Sequence, residues 1–557
     1  MFEWLAHRRS CAEKQKERQS RIDNLPAVYH EPLTPEDKLI VDQYASETIA
    51  KIQEGSLDPI SVVHAFGKKA LKAHEATNCL TEILLPEAEG WARQCNRKGP
   101  LAGMPISVKD TVAIAGFDVC IGYSAWVGKR ATVDSPLVRL LRDAGAIPYV
   151  KTNIPITLLS LESSNEVFGT TKNPHNPDYT PGGSTGGEAA LLAYGGSRLG
   201  IGTDVAGSVR GPAHFSGIYT IKASSERFLK AGNATSIKGQ IGVPAVYSPM
   251  TRTLEDLETM WRAIFSMKPW TYDYSCLVLP WKDIDLSGKK LRWGVMWDDG
   301  MIEPSPACRR ALEDTVAALK GAGHEIVNLY VSETPKPSEA ISVGAQLLFA
   351  DGGKTVAKPI RRGEWNDPGV ADALFVLRLP RFVKKIWTWY WRNIKGDALY
   401  AELLDSFNEK TVEEYFALVA QREAIREQWW NMWEEQKIDF ILTSPNPLPA
   451  SPHAGWRNGW TGCTYTFLFN ILDYTAGVIP VTHLDRATDK LEGFVPRNQI
   501  ERRMYRMYDA DRMHGLPIGV QIVGRRLEEE KVLEGMKIAE RCLKDVGKAY
   551  TLLQPTD

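Results

Sequence analysis

Short β-branched segments alternate with apolar helical segments through much of the chain, and this alternation limits the possible folds more than any other feature. From about Leu101, the strand-like runs PISVKDTVAIAG, AIPYVKTN, LGIGTD and GIYTIKA are separated by helix-like runs such as SPLVRLLRDAG and EAALLAYGG. A second set follows later, with KLRWGVMWDDG, the helix ACRRALEDTVAALKGAGHEI, DFILTSPN and PIGVQIVGRR. The alternation predicts an α/β fold in which helices cover both faces of a central mixed sheet. We expect the sheet to draw strands from both ends of the chain.

The regions around these segments suggest a domain organisation. Residues 1–75 carry apolar side chains at helical spacing and predict a helical N-terminal wrap. Residues 76–545 are expected to form the α/β domain, and residues 546–557 a C-terminal tail. Within the domain, residues 335–437 are mostly helical in pattern and rich in tryptophan, which is typical of an insertion.

Composition excludes several classes of protein. Lys and Arg number 67 against 68 Asp and Glu, so the chain has a net charge of −1 and no overall attraction to nucleic acid. No apolar run is long enough to span a bilayer, and the charged N-terminus is unlike a signal peptide. The cysteines and histidines lack the spacing of disulfide frameworks or zinc sites. We therefore expect a cytoplasmic protein that uses no metal or cofactor.

Glycine and serine are concentrated in residues 181–211, PGGSTGGEAALLAYGGSRLGIGTDVAGSVRG. A flexible linker does not need the helix and strand within this stretch, and no phosphate-binding register fits its glycines. The third interpretation is a nucleophile site built around Ser184 or Ser208. Small neighbours would let consecutive amides converge on an oxyanion, and the run Val205, Ala206, Gly207, Ser208 offers such a nest.

A serine nucleophile needs a base to accept its proton. No GxSxG elbow surrounds either serine, and His175 and His214 lie in proline-containing segments where we expect structural roles. The alternative is a lysine kept neutral by burial. Lys109 is the candidate, because it ends the apolar strand of GMPISVKDT.

These segments together resemble a known family. GMPISVKDT, GGSTGGEAAL and GIGTDVAGSVRGPA, in this order, are similar to the amidase signature family, and KTNIP, FGTTKNP, LDYTAGVIPVT and GLPIGVQIVGRR extend the likeness over about residues 40–545. Within the family, the layout is most similar to fungal acetamidase-type amidases and fatty acid amide hydrolases. The resemblance implies the amidase signature fold and hydrolysis of a carboxylic amide through a seryl acyl-enzyme.

The resemblance also implies a Ser-Ser-Lys triad. Ser208 would be the acyl nucleophile, Ser184 a bridging serine preceded by a cis peptide after Gly183, and Lys109 the base. Neutral Lys109 would take the proton of Ser184 as Ser184 takes that of Ser208. The protons would then return to the leaving nitrogen.

Further roles follow from the same matches. The amides of Val205, Ala206, Gly207 and Ser208 would form the oxyanion hole, and Leu158, Ser184 and Thr203 would contact substrate. Ala206 stands where many members have glycine, which predicts a narrower hole. Thr185 replaces a common serine and keeps the hydroxyl.

Tryptophan is the remaining unusual feature. More than half of the 17 tryptophans lie in one window: Trp365, Trp387, Trp389, Trp391, Trp429, Trp430, Trp433, Trp456 and Trp460. Within it, residues 374–392 are basic and amphipathic and are split by Pro380. This segment fits peripheral membrane contact, the lining of a substrate funnel or a dimer contact. Tryptophans along the approach favour an apolar or aromatic amide.

The sequence thus predicts an amidase that acts on a small-molecule amide and water, without nucleic acid, as a homodimer. Acyl transfer or esterolysis at the same site remains an alternative, because nucleophiles other than water can capture an acyl-enzyme. A non-catalytic binding protein on this fold and an amidotransferase subunit remain further alternatives.

Overall fold

A computed structural model describes residues 2–459 and 462–555. Its strands are β1 (Leu80–Ile83), β2 (Pro105–Lys109), β3 (Ile147–Thr152), β4 (Ser164–Asn165), β5 (Gly169–Thr170), β6 (Leu199–Asp204), β7 (Tyr219–Lys222), β8 (Val246–Thr251), β9 (Arg292–Val295), β10 (Glu325–Asn328), β11 (Phe440–Thr443), β12 (Ala476–His483) and β13 (Pro517–Val523).

Eleven of these strands form one sheet in the order β1-β3-β2-β6-β8-β7-β12-β13-β11-β9-β10. Parallel pairing joins β2 to β3 and β6, and β9 to β10 and β11. The other neighbours pair antiparallel, as β6 does with β8 and β12 with β13. The expected mixed sheet is therefore confirmed, and β12 and β13 bring the C-terminal part of the chain into its centre.

The helices are α1 (Phe2–Asp23), α2 (Pro35–Asp42), α3 (Ala45–Glu54), α4 (Pro59–Thr77), α5 (Leu85–Gln94), α6 (Pro136–Asp143), α7 (Gly186–Tyr194), α8 (Arg210–Ser216), α9 (Leu254–Ser266), α10 (Pro306–Gly321), α11 (Pro337–Leu348), α12 (Lys354–Ala357), α13 (Pro368–Arg378), α14 (Arg381–Asn393), α15 (Ala398–Ser406), α16 (Val412–Gln436), α17 (Trp456–Gly459), α18 (Thr464–Ile471), α19 (Gln499–Tyr505) and α20 (Glu529–Asp545). None of the helices in the described ranges has the length and apolar character needed to cross a membrane.

Local sequence explains where several helices begin and end. Thr34 and Thr411 form capping boxes at the starts of α2 and α16, each satisfying backbone donors of the first turn. Pro380 separates α13 from α14, as its missing N–H and fixed φ require. One predicted boundary is wrong: the helix of ACRRALEDTVAALKGAGHEI ends at Gly321, and its last residues enter β10. Gly323 adopts φ +90°, which ends the helical pattern.

Three parallel strands end at the same edge of the sheet. β2 ends at Lys109, β6 ends at Asp204, and β3 between them in sequence ends at Thr152. In α/β sheets the loops that follow the carboxyl ends of parallel strands form the usual ligand site. The topology therefore brings Lys109 and the loop after β6 together, although they are far apart in sequence.

Helix α1 lies along the outer side of edge strand β1. Arg18 donates from Nη1 to the Leu80 carbonyl at 2.8 Å, and Arg21 donates from Nε to the Ile83 carbonyl at 2.8 Å. Lys14, itself buried, forms an ion pair with Glu82 of the same strand at 2.5 Å. The two arginines thus satisfy backbone carbonyls of β1 that have no neighbouring strand on the outer side of the sheet.

The helices between β10 and β11 build a second apolar core. Leu347, Leu374, Leu403 and Trp429 contribute to it, together with Ile441 from β11 and further side chains of the sheet. The region predicted as an insertion is thus helical and packs over one part of the sheet.

Candidate active site

Lys109 lies at the end of β2 with no solvent exposure. Its Nζ is 2.8 Å from Ser184 Oγ, 2.9 Å from Thr185 Oγ1 and 2.7 Å from Thr203 Oγ1. All three partners are neutral hydroxyls. Two of the predicted triad residues are therefore in direct contact. Thr203, predicted to contact substrate, also accepts a hydrogen bond from Lys109.

Burial lowers the pKa of Lys109 well below its ordinary value, although the charges of Asp204 and Glu188 act in the opposite direction. The effect of both carboxyl groups on the pKa of Lys109 is reduced by their own surroundings. Asp204 is paired with a guanidinium, and burial raises the pKa of Glu188 to about 8, so that this carboxyl is mostly neutral at pH 7. The local electrostatics favour an uncharged amine at Lys109.

Ser184 lies just before α7, next to Gly183. The Gly183–Ser184 peptide bond is cis, as the resemblance implies. Gly183 packs so closely on the backbone of Ser160 and Leu161 that a side chain could not fit. Glycine at this position lets the backbone pass directly behind the wall of the adjacent cavity.

The loop after β6 is held by a buried ion pair. Asp204 and Arg210 are both fully buried, with 3.0 Å between Oδ1 and Nη2. Asp204 also accepts hydrogen bonds from the amides of Gly207 at 2.8 Å and Val209 at 3.1 Å, and from Asn470 Nδ2 at 2.9 Å. Burial opposes ionisation, but Arg210 lowers the pKa of Asp204 below its usual range. The carboxylate thus ties both ends of the loop together.

This geometry limits which amides can bind an oxyanion. The Gly207 N–H is directed at Asp204, whereas the N–H groups of Val205, Ala206 and Ser208 have no hydrogen-bond acceptor among residues 2–459 and 462–555. Gly207 has φ +121°, and a Cβ there would clash with Thr466. Thr466 in turn donates to the Ala206 carbonyl at 2.8 Å. Three amides of the predicted four are available.

A cavity of about 110 Å³ opens beside Ser208. Ser208, Val205, Ala206 and Leu158 lie in its wall. The rest of the wall is largely apolar and comes mainly from α11, α13, α15 and α18: Ile341, Ala345, Leu348, Phe349, Val370, Ala373, Leu374, Leu403, Phe407 and Phe467. The predicted nucleophile therefore faces an apolar chamber, whereas Lys109 and Ser184 lie deeper in the protein.

Lining of this approach is one of several alternatives for the tryptophan window, and the structure supports it for a single described member. Among the described tryptophans of the window, only Trp456 lies in the cavity wall. Trp429 and Trp433 are buried in the helical core, and Trp389 is exposed on α14. Trp460 lies outside the described residues. Smaller apolar side chains of neighbouring helices, mainly α11, α13, α15 and α18, line the chamber instead.

The two histidines near the glycine-rich stretch are engaged by backbone groups. His214 accepts from the Gly519 amide at 2.9 Å through Nδ1, and its Nε2 lies 3.1 Å from the Leu448 carbonyl. Its Nε2 must carry the proton, which leaves no basic nitrogen for catalysis. His175 Nε2 lies 3.1 Å from the Ser216 carbonyl.

Comparison with known proteins identifies the family. The family model described as Amidase matches residues 61–533. The chain belongs to the amidase family. The acetamidase of Aspergillus oryzae is 33% identical to this amidase over 90% of each chain. Fatty-acid amide hydrolase 1 of Sus scrofa is 33% identical, covering 89% of this chain and 85% of that protein. A solved structure of fatty acid amide hydrolase superposes with a TM-score of 0.82 at 29% identity, covering 96% of this chain and 95% of that one.

This amidase is accordingly a hydrolase of amides with the amidase signature fold. Sequence reasoning did not find Glu188, which is fully buried and bonded to Ser107 and Thr152 on the strands beside Lys109. It also missed Asn470 and Thr466, which hold the loop after β6. Their position in a helical segment distant in sequence gave no signal, since only the folded sheet brings α18 to this loop.

Proposed function

We propose that the chain hydrolyses an apolar or aromatic carboxylic amide through a Ser-Ser-Lys triad of Ser208, Ser184 and Lys109. The observation that carries the proposal is the burial of Lys109 among three neutral hydroxyls, behind an apolar cavity that has Ser208 in its wall. Among residues 2–459 and 462–555 no carboxylate lies within ion-pair distance of Lys109, so this lysine is suited to act as a neutral base.

The contacts suggest how the proton moves. An ammonium would donate to all three hydroxyls, but a neutral amine donates to two and accepts from the third. Thr185 and Thr203 can accept from Lys109, which leaves the lone pair of Nζ for the hydroxyl proton of Ser184. Ser184 would then take the proton of Ser208 as Ser208 attacks the amide carbon. Reversal of this path protonates the leaving nitrogen, and water cleaves the acyl-enzyme.

The amides of Val205, Ala206 and Ser208 would bind the oxyanion of each tetrahedral intermediate. Because Asp204 fixes the loop in advance, these donors need little reorganisation when the negative charge forms. Loss of one such donor typically costs about 3 kcal/mol of transition-state stabilisation. Gly207 would act indirectly, through its hydrogen bond to Asp204.

The cavity supports an apolar substrate group. Its volume of about 110 Å³ is comparable to an engineered apolar cavity of about 150 Å³ that accepts benzene. Acetamide would leave most of the apolar wall in contact with water, so an aryl or short branched acyl group gains more from burial. Leu158 would contact this group from the cavity wall.

Labelling with a fluorophosphonate probe tests the nucleophile. The wild type and Ser160→Ala should be labelled, because Ser160 lines the same cavity without a role in the triad. Ser208→Ala should not be labelled. Labelling of Ser208→Ala at the wild-type level, or loss of labelling in Ser160→Ala alone, would contradict the assignment.

A panel of amides tests the substrate class. Acetamide, benzamide and a long-chain acyl amide should be compared by kcat/KM, and benzamide should exceed acetamide. If acetamide is the best substrate, the apolar cavity does not select the acyl group. Hydrolysis of the corresponding esters measures the esterase alternative. Transfer of the acyl group to added hydroxylamine measures the acyl-transfer alternative.

We also propose that α13 and α14 make peripheral contact with a membrane. Their exposed side chains include the large apolar residues Phe375, Phe382, Ile386 and Trp389, and exposed Ile394 directly follows α14. Sedimentation with phosphatidylcholine vesicles tests this contact. The triple variant Phe382→Ser, Ile386→Ser, Trp389→Ser should lose binding, and Val133→Ser, Tyr274→Ser, Val278→Ser, which removes exposed apolar groups elsewhere, should retain it.

The homodimer stays a prediction that sedimentation velocity can test.

A further inference from the structure

A second cavity, of about 570 Å³, lies at the junction of α12, α13 and α14. Five basic side chains line it, Lys354, Lys358, Arg378, Arg381 and Lys384, against the single carboxylate of Glu409. Ser208 is not part of its wall. The cationic cavity, as we call these residues, has a net positive charge in a protein whose overall charge is −1.

Part of this positive charge is not compensated by the protein. Lys354 pairs with Glu409 at 2.6 Å, and Arg381 pairs with Glu414 at 3.1 Å. For Lys358 and Arg378, both exposed, the described ranges contain no carboxylate within ion-pair distance. These two cations are free to contact a ligand.

Lys384 adds a buried charge. Its side chain is 2% exposed, and its Nζ donates to the carbonyls of Phe407 at 2.6 Å and Leu377 at 3.4 Å. No carboxylate in residues 2–459 or 462–555 lies within ion-pair distance of it. Burial, together with the charges of Lys410 and Arg381, lowers its pKa. A buried ammonium without a counter-ion is costly, and an anion in the cavity would offset that cost.

The start of α14 adds to the positive potential. Its N-cap is Pro380, which provides no side-chain hydrogen bond to the first turn. Unsatisfied amides at the start of a 13-residue helix attract an anion.

We propose that the cationic cavity binds a phosphate group, carried either by a phospholipid headgroup or by a small soluble phosphate ester. Phosphate offers several acceptor oxygens and up to two negative charges, which match clustered lysine and arginine side chains better than a carboxylate does. The exposed apolar face of α14 adjoins the cavity, so a headgroup could enter while the acyl chains remain near that face. This binding goes beyond the proposed hydrolysis and does not depend on it.

Two measurements separate the possible sources of phosphate. The first is the thermal unfolding midpoint with glycerol 3-phosphate, against glycerol and sodium chloride at equal ionic strength. The second is co-sedimentation with phosphatidylcholine vesicles, with and without phosphatidic acid. The test variant is Lys358→Gln, Arg378→Gln. The matched control is Lys385→Gln, Arg392→Gln, which removes two exposed cations of α14 that lie outside the cavity.

The wild type should show phosphate dependence in at least one measurement. A response to phosphatidic acid alone identifies a lipid headgroup, and a response to glycerol 3-phosphate identifies a soluble ester. In the measurement that responds, the apparent affinity of the test variant for the phosphate compound should be about tenfold lower or more, as expected for the loss of two cation contacts. The control should stay near the wild type. Absence of phosphate dependence in both measurements, or equal loss in the two double variants, overturns the proposal.

Discussion

Replacement of Asp204 by asparagine tests how the oxyanion loop is organised. Asp204 accepts five hydrogen bonds, from the Gly207 and Val209 amides, from two nitrogens of Arg210 and from Asn470. Asparagine replaces one of the two carboxylate oxygens by an NH₂ group. That group would face N–H donors that now bond to the carboxylate. The substitution also leaves the fully buried Arg210 without its counter-ion.

The structure sets the expected size of both effects. Breaking a buried ion pair by removing one partner costs about 3–5 kcal/mol of unfolding free energy. Displacement of the loop amides should lower kcat by about 10²- to 10³-fold, the usual effect of losing an oxyanion donor. Urea unfolding measures the first effect, and hydrolysis of a chromogenic anilide measures the second.

The same substitution has an electrostatic signature. The charge of Asp204 raises the pKa of Lys109, so its removal should lower that pKa further. Because the base must be unprotonated, the acidic limb of the kcat/KM profile should move to lower pH. Asp283→Asn is the control, since Asp283 is 84% exposed in its ion pair with Arg262 and should cost less than about 0.5 kcal/mol. An acidic limb that moves to higher pH, or unchanged stability and kcat, would refute this account of the loop.

Three other outcomes are expected. Gly207→Ala should lower kcat about 10²- to 10³-fold, because its Cβ would clash with Thr466 at φ +121°; full activity would contradict the strained loop. Ala345→Phe should fill the cavity and lower kcat/KM for benzamide about 10- to 100-fold, with a smaller effect on acetamide; equal losses would mean that the cavity does not hold the acyl group. Burial lowers the pKa of His175 and of His214 to about 4. At these two positions the unfolded chain therefore binds more protons below pH 6.5, and each histidine should cost up to about 3 kcal/mol of stability as pH falls from 6.5 to 4. In urea unfolding, His175→Gln should lose less stability than the wild type over this pH range, and an identical pH dependence in the two proteins would contradict the buried neutral state.

The sequence was most informative where the local residue pattern by itself determines the backbone conformation. The apolar run that ends at Lys109 predicts the strand and makes this lysine the candidate base, and Pro380 predicts the break between α13 and α14. Strand β8 was missed because VYSPMT contains a proline and lacks alternating apolar residues. Strand order could not be read from the chain, since it depends on pairing between distant segments.

The residues that line the cavity could not be predicted from composition. Tryptophan abundance indicated the correct region but not the lining helices, because most of its tryptophans lie on α14 and α16, whereas α11, α13, α15 and α18 form most of the cavity wall. Trp429 turns into the core, whereas Ala345 and Leu403 face the cavity. Composition locates a region of this kind, but the direction of each side chain depends on tertiary contacts.

The arginines of α1 have a consequence for solubility. A strand at the margin of a large sheet offers its backbone to any other extended chain, and such margins are where sheets grow into aggregates. By occupying the carbonyls of Leu80 and Ile83, Arg18 and Arg21 remove acceptors that an incoming strand would need. A helix that contributes no residue to catalysis thus helps to keep neighbouring copies of the enzyme from joining through their sheets.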